Sequence, residues 1–278
     1  MSLQNFIPEI WDARLLKHFD ANLVFRNVVN RDYEGTISAY GDTVRINQIG
    51  DVTVKDYTAN SDIDDPEELD GSQKTLTIDK AKYFNFQVDD VDNAQTNPKL
   101  MDKAMQRAAY AVASSIDGVI AGLHGDAGTK MTDSGSAYTI DDGTSNTAAY
   151  DLLVDINEKM DTLNLPESGR WIVIPPWFHS WFLKDDSYKQ SWQNYMVTGQ
   201  VPVVNGINII KSNNLKTSAS NTYLMAGTNE AISYAGQITQ TEAYRMEKRF
   251  ADAVKGLYVY GVKVIQPTAL IRVLAASS

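Results

Sequence analysis

The stretch from about Tyr40 to Val91 constrains this chain more than any other. It has strand patterning at both ends and an acidic, turn-rich middle, and it feeds directly into the pattern of one long helix. On the way out, Val44 and Ile46 alternate with Thr43, Arg45 and Asn47, and Val52 and Val54 continue after Gly50. On the way back, Leu76 and Ile78 alternate with Thr75, Thr77 and Asp79. Period-two alternation marks half-buried strands. The tip, from Ser61 to Gly71, holds Asp62, Asp64, Asp65, Glu67, Glu68 and Asp70 around Pro66 and cannot be core. Taken as extended strand, residues 42–54 reach roughly 40 Å at about 3.3 Å per residue. So thin an excursion needs a surface outside itself to lie on, and a second copy of the same chain is the natural one.

The segment after the excursion reads as a rigid mount. Tyr83–Val88 alternates strongly, with Phe84, Phe86 and Val88 facing one way, and predicts a strand in the main body. Asn97 and Pro98 make a good helix start, as cap and first helical residue. Met101, Ala104, Met105, Ala108, Ala111, Val112, Ile116, Val119, Ile120 and Leu123 then form an apolar stripe of helical period, with Gly122 and Gly125 as the stop. The spacing predicts a helix over 98–123, about 39 Å long at 1.5 Å per residue, well above the usual length of roughly 11 residues.

The rest of the chain divides around these features. Residues 1–40 read as an arm, with Ile7, Ile10, Trp11, Arg14, Leu15 and Phe19 fitting a short amphipathic helix after Pro8. Residues 125–146, rich in Gly, Ser, Thr and Asp, mark a junction. Then come a helix carrying Ala149, Leu152, Leu153, Ile156, Met160 and Leu163, a buried strand at Trp171–Ile174, and a helix opened by Pro175 and Pro176. Strand-like pieces occupy 207–211, 223–226 and 231–234, an alternation that reads as an α/β unit. Residues 239–274 are strand-rich, with Leu257–Ile265 and Ala269–Leu274 flanking Pro267.

Composition bounds the function. The chain has 278 residues, 43% of them hydrophobic, enough for a sizeable core. Its net charge of -10 argues against a protein that grips nucleic-acid phosphates, though not against one that encloses them. There is no cysteine, hence no disulfide or thiolate zinc site. No signal-peptide pattern or Asn-x-Ser/Thr sequon is found, and no apolar run approaches a membrane span; the best candidate, Ala108–Leu123, is interrupted by Ser114, Ser115 and Asp117.

Catalytic and ligand motifs fare poorly. No phosphate loop is present, and Gly122, Gly125 and Gly128 lack the dinucleotide spacing. The acidic tip has Pro66 where a calcium ligand should stand, so a solvated or partner-facing loop is the better account. His18, His124 and His179 are scattered without metal-ligand spacing. Trp171, Trp177, Phe178, Trp181 and Phe182 could form a ligand platform, but a strand packed on a helix is the plainer reading. No cofactor or metal is expected, and no catalytic residue is assigned.

Three stretches carry a family resemblance: VVNRDYEGTISAYGDTVRI at 28–46, the helical pattern of Met101–Leu123, and YGVKVIQPTALIRV at 260–273. Together with the order of elements along the whole chain, they resemble major capsid proteins of tailed bacteriophages with the HK97-type fold, particularly the P22-like coat proteins. The resemblance implies an α+β fold with an N-terminal arm (1–40), an extended hairpin loop (41–82), a peripheral domain (83–147 and 239–278) with its spine helix (98–123), and an axial domain (148–238). It implies self-assembly into pentamers and hexamers of an icosahedral shell around double-stranded DNA. Assembly would take place in the bacterial host cytoplasm, without a membrane or sequence-specific DNA contact. The arm begins at once, so a separate scaffolding protein is expected, along with a portal. Lys55 and Lys74 lie in the loop, but no pattern assigns either to the covalent cross-link some members form. Arg45, Lys55, Asp62, Asp64, Asp65, Glu67, Glu68, Asp70 and Lys74 are the candidate intersubunit contacts. The alternatives are a nanocompartment shell holding a cargo enzyme, or an enzyme built on the α/β portion.

Overall fold

The alternation at 43–49 and 71–77 becomes an antiparallel pair. Strands β1 (Thr43–Ile49) and β2 (Gly71–Thr77) pair from Thr43 opposite Thr77 to Ile49 opposite Gly71. The structure is a computed structural model, and it describes residues 24–34, 40–49, 54, 56–57, 62, 65, 71–89, 100–132, 135–141, 146–184, 203–248 and 250–278. The short helix expected after Pro8, the start at Asn97 and Pro98, and most of the acidic tip lie outside the described residues.

Strand β3 (Lys80–Asp89) comes at once and joins the edge of a three-stranded antiparallel sheet, in the order β11 (Ile232–Arg245), β12 (Ala251–Val264), β3. Phe84 and Phe86 point to the protein interior, as their alternation predicts, while Tyr83 and Asn85 point away. The described part of the long helix, α1, runs Leu100–Gly122, 23 residues or about 35 Å at 1.5 Å per residue. Its inner face buries Met105, Ala109, Ala113, Ile116, Ile120 and Ala121. Three of those six are alanines, so the helix can approach its neighbours closely.

The α/β portion is built on an eight-stranded mixed sheet. Its strands are β4 (Thr129–Met131), β5 (Tyr138–Asp141), β6 (Thr147–Ala148), β7 (Arg170–Ile174), β8 (Asn208–Lys211), β9 (Thr217–Ser218), β10 (Asn221–Thr228) and β13 (Leu270–Ser277). The main path is β6-β5-β13-β10-β7-β8, with β4 on β13 and β9 on β10. Helix α2 (Ala149–Thr162) buries Leu152, Leu153, Ile156 and Met160, and α3 (Pro176–Lys184) buries Phe178 and Phe182. Trp171 is buried too, and its ring meets Phe25 edge-on at 6.4 Å. The aromatic cluster is therefore largely core.

Several strands depart from the expected division. That division groups residues 239–278 with 83–147, and β11 and β12 do pair with β3. However, β13 lies in the middle of the eight-stranded sheet, antiparallel to β10 and parallel to β4 and β5. Its burial fits a central strand: Leu270, Ile271, Val273 and Ala275 are buried, the last three on one face, with Arg272 and Leu274 half-buried on the other. Residues 129–148 contribute β4, β5 and β6 to that same sheet.

A buried arginine fixes the connection into β7. Arg170 donates from Nε to Pro166 O (2.9 Å) and from Nη2 to Leu165 O (2.7 Å). Its Nη1 serves Asn157 Oδ1 and Asp161 Oδ1, both at 2.7 Å. Asp161 is largely exposed, so the ion pair itself contributes little; the stranded carbonyls and amide are what truncation would cost. Arg170→Ala is expected to lower stability by about 3 kcal/mol. The measurement is the urea midpoint, which should fall without a change in slope.

Candidate assembly surface

The hairpin is fastened at its base, and the residues described further out, Val54, Asp56, Tyr57, Asp62 and Asp65, are exposed. Ile46, Leu76 and Ile78 are buried against Ala235, Val259 and Ile265, with Tyr33 and Val44 packed at the margin. Val259 lies on the face of the three-stranded sheet opposite Tyr258 and Tyr260, so the hairpin base covers one end of that outer face. Gly261 completes the seat, because a Cβ there would stand 2.3 Å from Thr77 O. No side chain at 261 is compatible with the strand lying this close. Lys263 Nζ donates to Thr75 O at 2.7 Å, and Lys74 Nζ donates to Ile265 O. Backbone bonds Gly41 N to Ile78 O and Ile78 N to Asp42 O, both 2.9 Å, close the root.

The candidate contact residues separate on this geometry. The register sets Lys74 opposite Ile46, on the face turned toward the sheet, where its Nζ is engaged by Ile265 O of the same subunit. Arg45 is one residue out of phase with Ile46 and stands exposed on the opposite face. Asp62 and Asp65 are exposed, as are Val54 (93%) and Tyr57 (75%). Lys55, Asp64, Glu67, Glu68 and Asp70 lie outside the described residues.

The sequence reading missed the remainder of the outer sheet face. Beyond the hairpin's footprint, cross-strand rows place Leu257 beside Tyr83 and Lys255 between Glu242 and Asn85. Tyr83 is 78% exposed, and Leu257 and Tyr244 are also exposed. Tyr83, Asn85, Glu242, Lys255, Gly256 and Leu257 line a shallow pocket of about 290 Å³. Lys255 Nζ bonds Glu242 Oε2 at 2.6 Å and lies 5.5 Å from the centre of the Tyr244 ring. The Glu242 bond raises the lysine's pKa, but the pair is solvent-exposed and guides orientation more than it stabilises. A signal for this face was present: Tyr83 breaks the polar phase of an otherwise alternating strand, and Leu257 occupies the matching phase of β12.

Several ionisable groups are buried or half-buried. Tyr234 and Tyr258 share a hydrogen bond between their hydroxyls, and burial pushes Tyr258 up to about 12 and Tyr234 well above the ordinary tyrosine range. His124 stacks on Tyr223, with ring centres 4.0 Å apart, and burial lowers its pKa, as it does for His179. Among the described residues, no group of three or more His, Cys, Asp or Glu could hold a metal ion, and no helix is long and apolar enough to cross a membrane.

These features match known proteins. The family model described as phage capsid protein matches residues 72–273, more than half of the chain. The chain belongs to the phage capsid protein family. A solved structure from Mycobacterium phage Che8 is 30% identical, with 90% of each chain covered and a TM-score of 0.72. The capsid structure of cyanophage P-SCSP1u is 19% identical, covering 87% of this chain and 85% of that one, with a TM-score of 0.66. A virus-like particle from Pyrococcus furiosus is 13% identical, covering 95% and 98%, with a TM-score of 0.58. No curated protein matches the sequence. The α+β architecture of this capsid protein is the HK97-type fold, and the chain is a shell-forming coat protein of the tailed-phage kind.

Proposed function

We propose that this capsid protein closes an icosahedral shell of pentamers and hexamers around phage double-stranded DNA, with its hairpin as the clasp between subunits. The observation that carries this reading is a hairpin clamped at its root on β12 whose outer residues, Val54, Tyr57, Asp62 and Asp65 among them, stand in solvent. A neighbouring copy is the partner. The open outer face around Tyr83 and Leu257 continues the surface that the subunit's own hairpin base already covers, and it offers the apolar area such a contact needs. Arg45 and the acidic residues 62, 64, 65, 67, 68 and 70, with Lys55, would set register through charge pairing. Each contact is weak, and closure multiplies them.

In this reading the sheet of β3, β11 and β12 with α1 is the peripheral unit. The axial domain is the expected 148–238, less the start of β11 at Ile232 and extended by β4, β5, β6 and β13. The protein works by assembly and not by catalysis, and its place is the virion. It is assembled in the bacterial host cytoplasm with a separate scaffolding protein and a portal, within the P22-like branch. The acidic charge of -10 keeps the wall from adhering to its DNA, which it encloses without reading sequence. The family match and the 30% identical phage structure favour the coat-protein reading over the nanocompartment alternative.

Electron microscopy of the purified full chain, with nuclease-protected contents sequenced from host-grown particles, tests this. Closed shells holding genome-length DNA are expected. Shells holding a single enzyme, or a discrete small oligomer with no shell, would overturn it.

A further inference from the structure

Asp117 is a carboxylate with no exposure at all, set among the apolar residues of α1. Its Oδ2 accepts the backbone N–H of Val24 at 3.1 Å and its Oδ1 that of Phe25 at 3.2 Å, from 93 and 92 positions away. Those two amides open the one-turn 3-10 helix Phe25–Asn27, which has no side-chain cap of its own. Asn214 also bonds the carboxylate, and its Oδ1 in turn accepts from Ser114 Oγ at 3.0 Å.

The segment capped in this way touches α1 and both larger sheets. Phe25 is buried against Trp171 of β7. Asn30 bridges β11, donating to Ile232 O and accepting from Tyr234 N, both at 2.9 Å. The Asn229 amide, oriented to satisfy both acceptors, donates to Gly169 O at 3.1 Å and Val28 O at 3.2 Å. Segment 24–34 thus joins α1, the eight-stranded sheet and the three-stranded sheet, and Asp117 is its attachment to the helix.

We propose that Asp117 is the positioning residue that docks segment 24–34 as a key between the long helix and both sheets, and that a docked key is required for the subunit to enter a closed shell. A buried carboxylate is costly unless it is fully bonded, and here three donors meet it. The arrangement therefore has two states, a docked one with a dry, satisfied carboxylate and an undocked one with a hydrated carboxylate.

Protons distinguish the two states. Burial, opposed by the Val24, Phe25 and Asn214 bonds, raises Asp117 above the usual 3.8 when docked. Undocking returns it toward that value. Between the two values the docked state binds more protons, so docking is favoured at low pH and weakens as pH rises through the window, levelling off above the raised pKa. The titratable groups on the surrounding elements include Arg26, Arg31, Asp32, Tyr33 and Glu34 on the segment, Lys103, Arg107, Tyr110, His124 and Asp126 on and just after α1, Arg170 on β7, Tyr234 on β11, and Lys216 beyond Asn214. None contributes to the Asp117 shift. Arg31 and Glu34 pair with each other at 2.7 Å.

The test is amide hydrogen exchange at Val24 and Phe25 in the unassembled full chain, corrected for intrinsic rates and followed across pH. This readout is independent of whether the shell reading is right. In the native chain, protection at both amides should fall as pH rises above about 4 and then plateau. In Asp117→Asn, whose amide nitrogen cannot accept from an N–H as a protonated carboxyl's hydroxyl oxygen still can, protection should drop roughly tenfold or more and lose that pH dependence. Asp117→Ala should lose more, and closed-particle yield should fall in the same order. Native protection that does not vary with pH would overturn the docking claim, as would an Asn variant that folds with both amides still protected. Normal particle yield from a variant with both amides unprotected would overturn the requirement for assembly. The native pH profile stands even if neither variant folds.

Discussion

Replacing residues 50–70 with an Asn-Gly turn is expected to leave a folded, soluble subunit that builds no closed particles. The strand register ends with Ile49 opposite Gly71, so a two-residue turn joins the strands without shifting them. The seat on β12 is untouched, because Ile46, Leu76, Ile78 and the bonds from Lys74 and Lys263 all lie inward of the cut. What is removed includes Val54 and Tyr57, which contribute almost nothing to the isolated subunit, being 93% and 75% exposed. The melting temperature should therefore shift by only a few degrees, within the roughly 2–4 °C that 1 kcal/mol produces in larger domains. Electron microscopy and sedimentation supply the other half of the test. Normal shells from this variant would remove the hairpin from the account of assembly.

The second large effect is at Gly261. A Cβ there would sit 2.3 Å from Thr77 O and 2.8 Å from Ile78 Cδ1. The nearer atom is backbone, so no change of rotamer relieves the clash, and the hairpin base must lift from β12. Lifting it exposes Leu76 and Ile78, both fully buried, and Ile46, nearly so. Each such side chain contributes about 1.5–3 kcal/mol when buried. Gly261→Val is expected to cost about 4 kcal/mol, at the upper end for single substitutions. Calorimetry should show the loss. Hydrogen exchange should localise it to the Ile78 amide, which in the native chain bonds Asp42 O at 2.9 Å. A variant with an unchanged transition and a protected Ile78 amide would show that the seat is not as close as described.

Local patterns in the sequence are a good guide to elements and a poor one to what those elements rest on. Alternation around Val44, Ile46, Leu76 and Ile78 specifies the hairpin and even which face is buried, because a strand's period leaves one choice. The spacing of apolar and small residues from Met101 to Ile120 specifies the long helix for the same reason. The fold class rests on these together with the family resemblance. The position of β13 is not legible in the same way, because its alternation marks a buried face without saying which sheet the strand enters.

The site is less legible for similar reasons. Lys74 reads as a surface lysine, and only the pairing of Ile46 with Lys74 turns its stem inward to Ile265. Tyr83 and Leu257 are legible in principle as apolar residues on the wrong phase of their strands, but their meeting across β3 and β12 depends on register. Asp117 looks like an interruption in an apolar run. Nothing local reveals that its partners are backbone amides at 24 and 25, since long-range bonds to backbone leave no mark on composition.

The most direct measurement is a cryo-electron-microscopy reconstruction of closed particles at side-chain detail. Residues 54–65 of one subunit are expected to lie on a neighbouring subunit, and the outer-sheet face around Tyr83, Tyr244 and Leu257 to be covered by another copy. Closed shells in which that face and the hairpin's outer residues both remain in solvent would contradict the clasp.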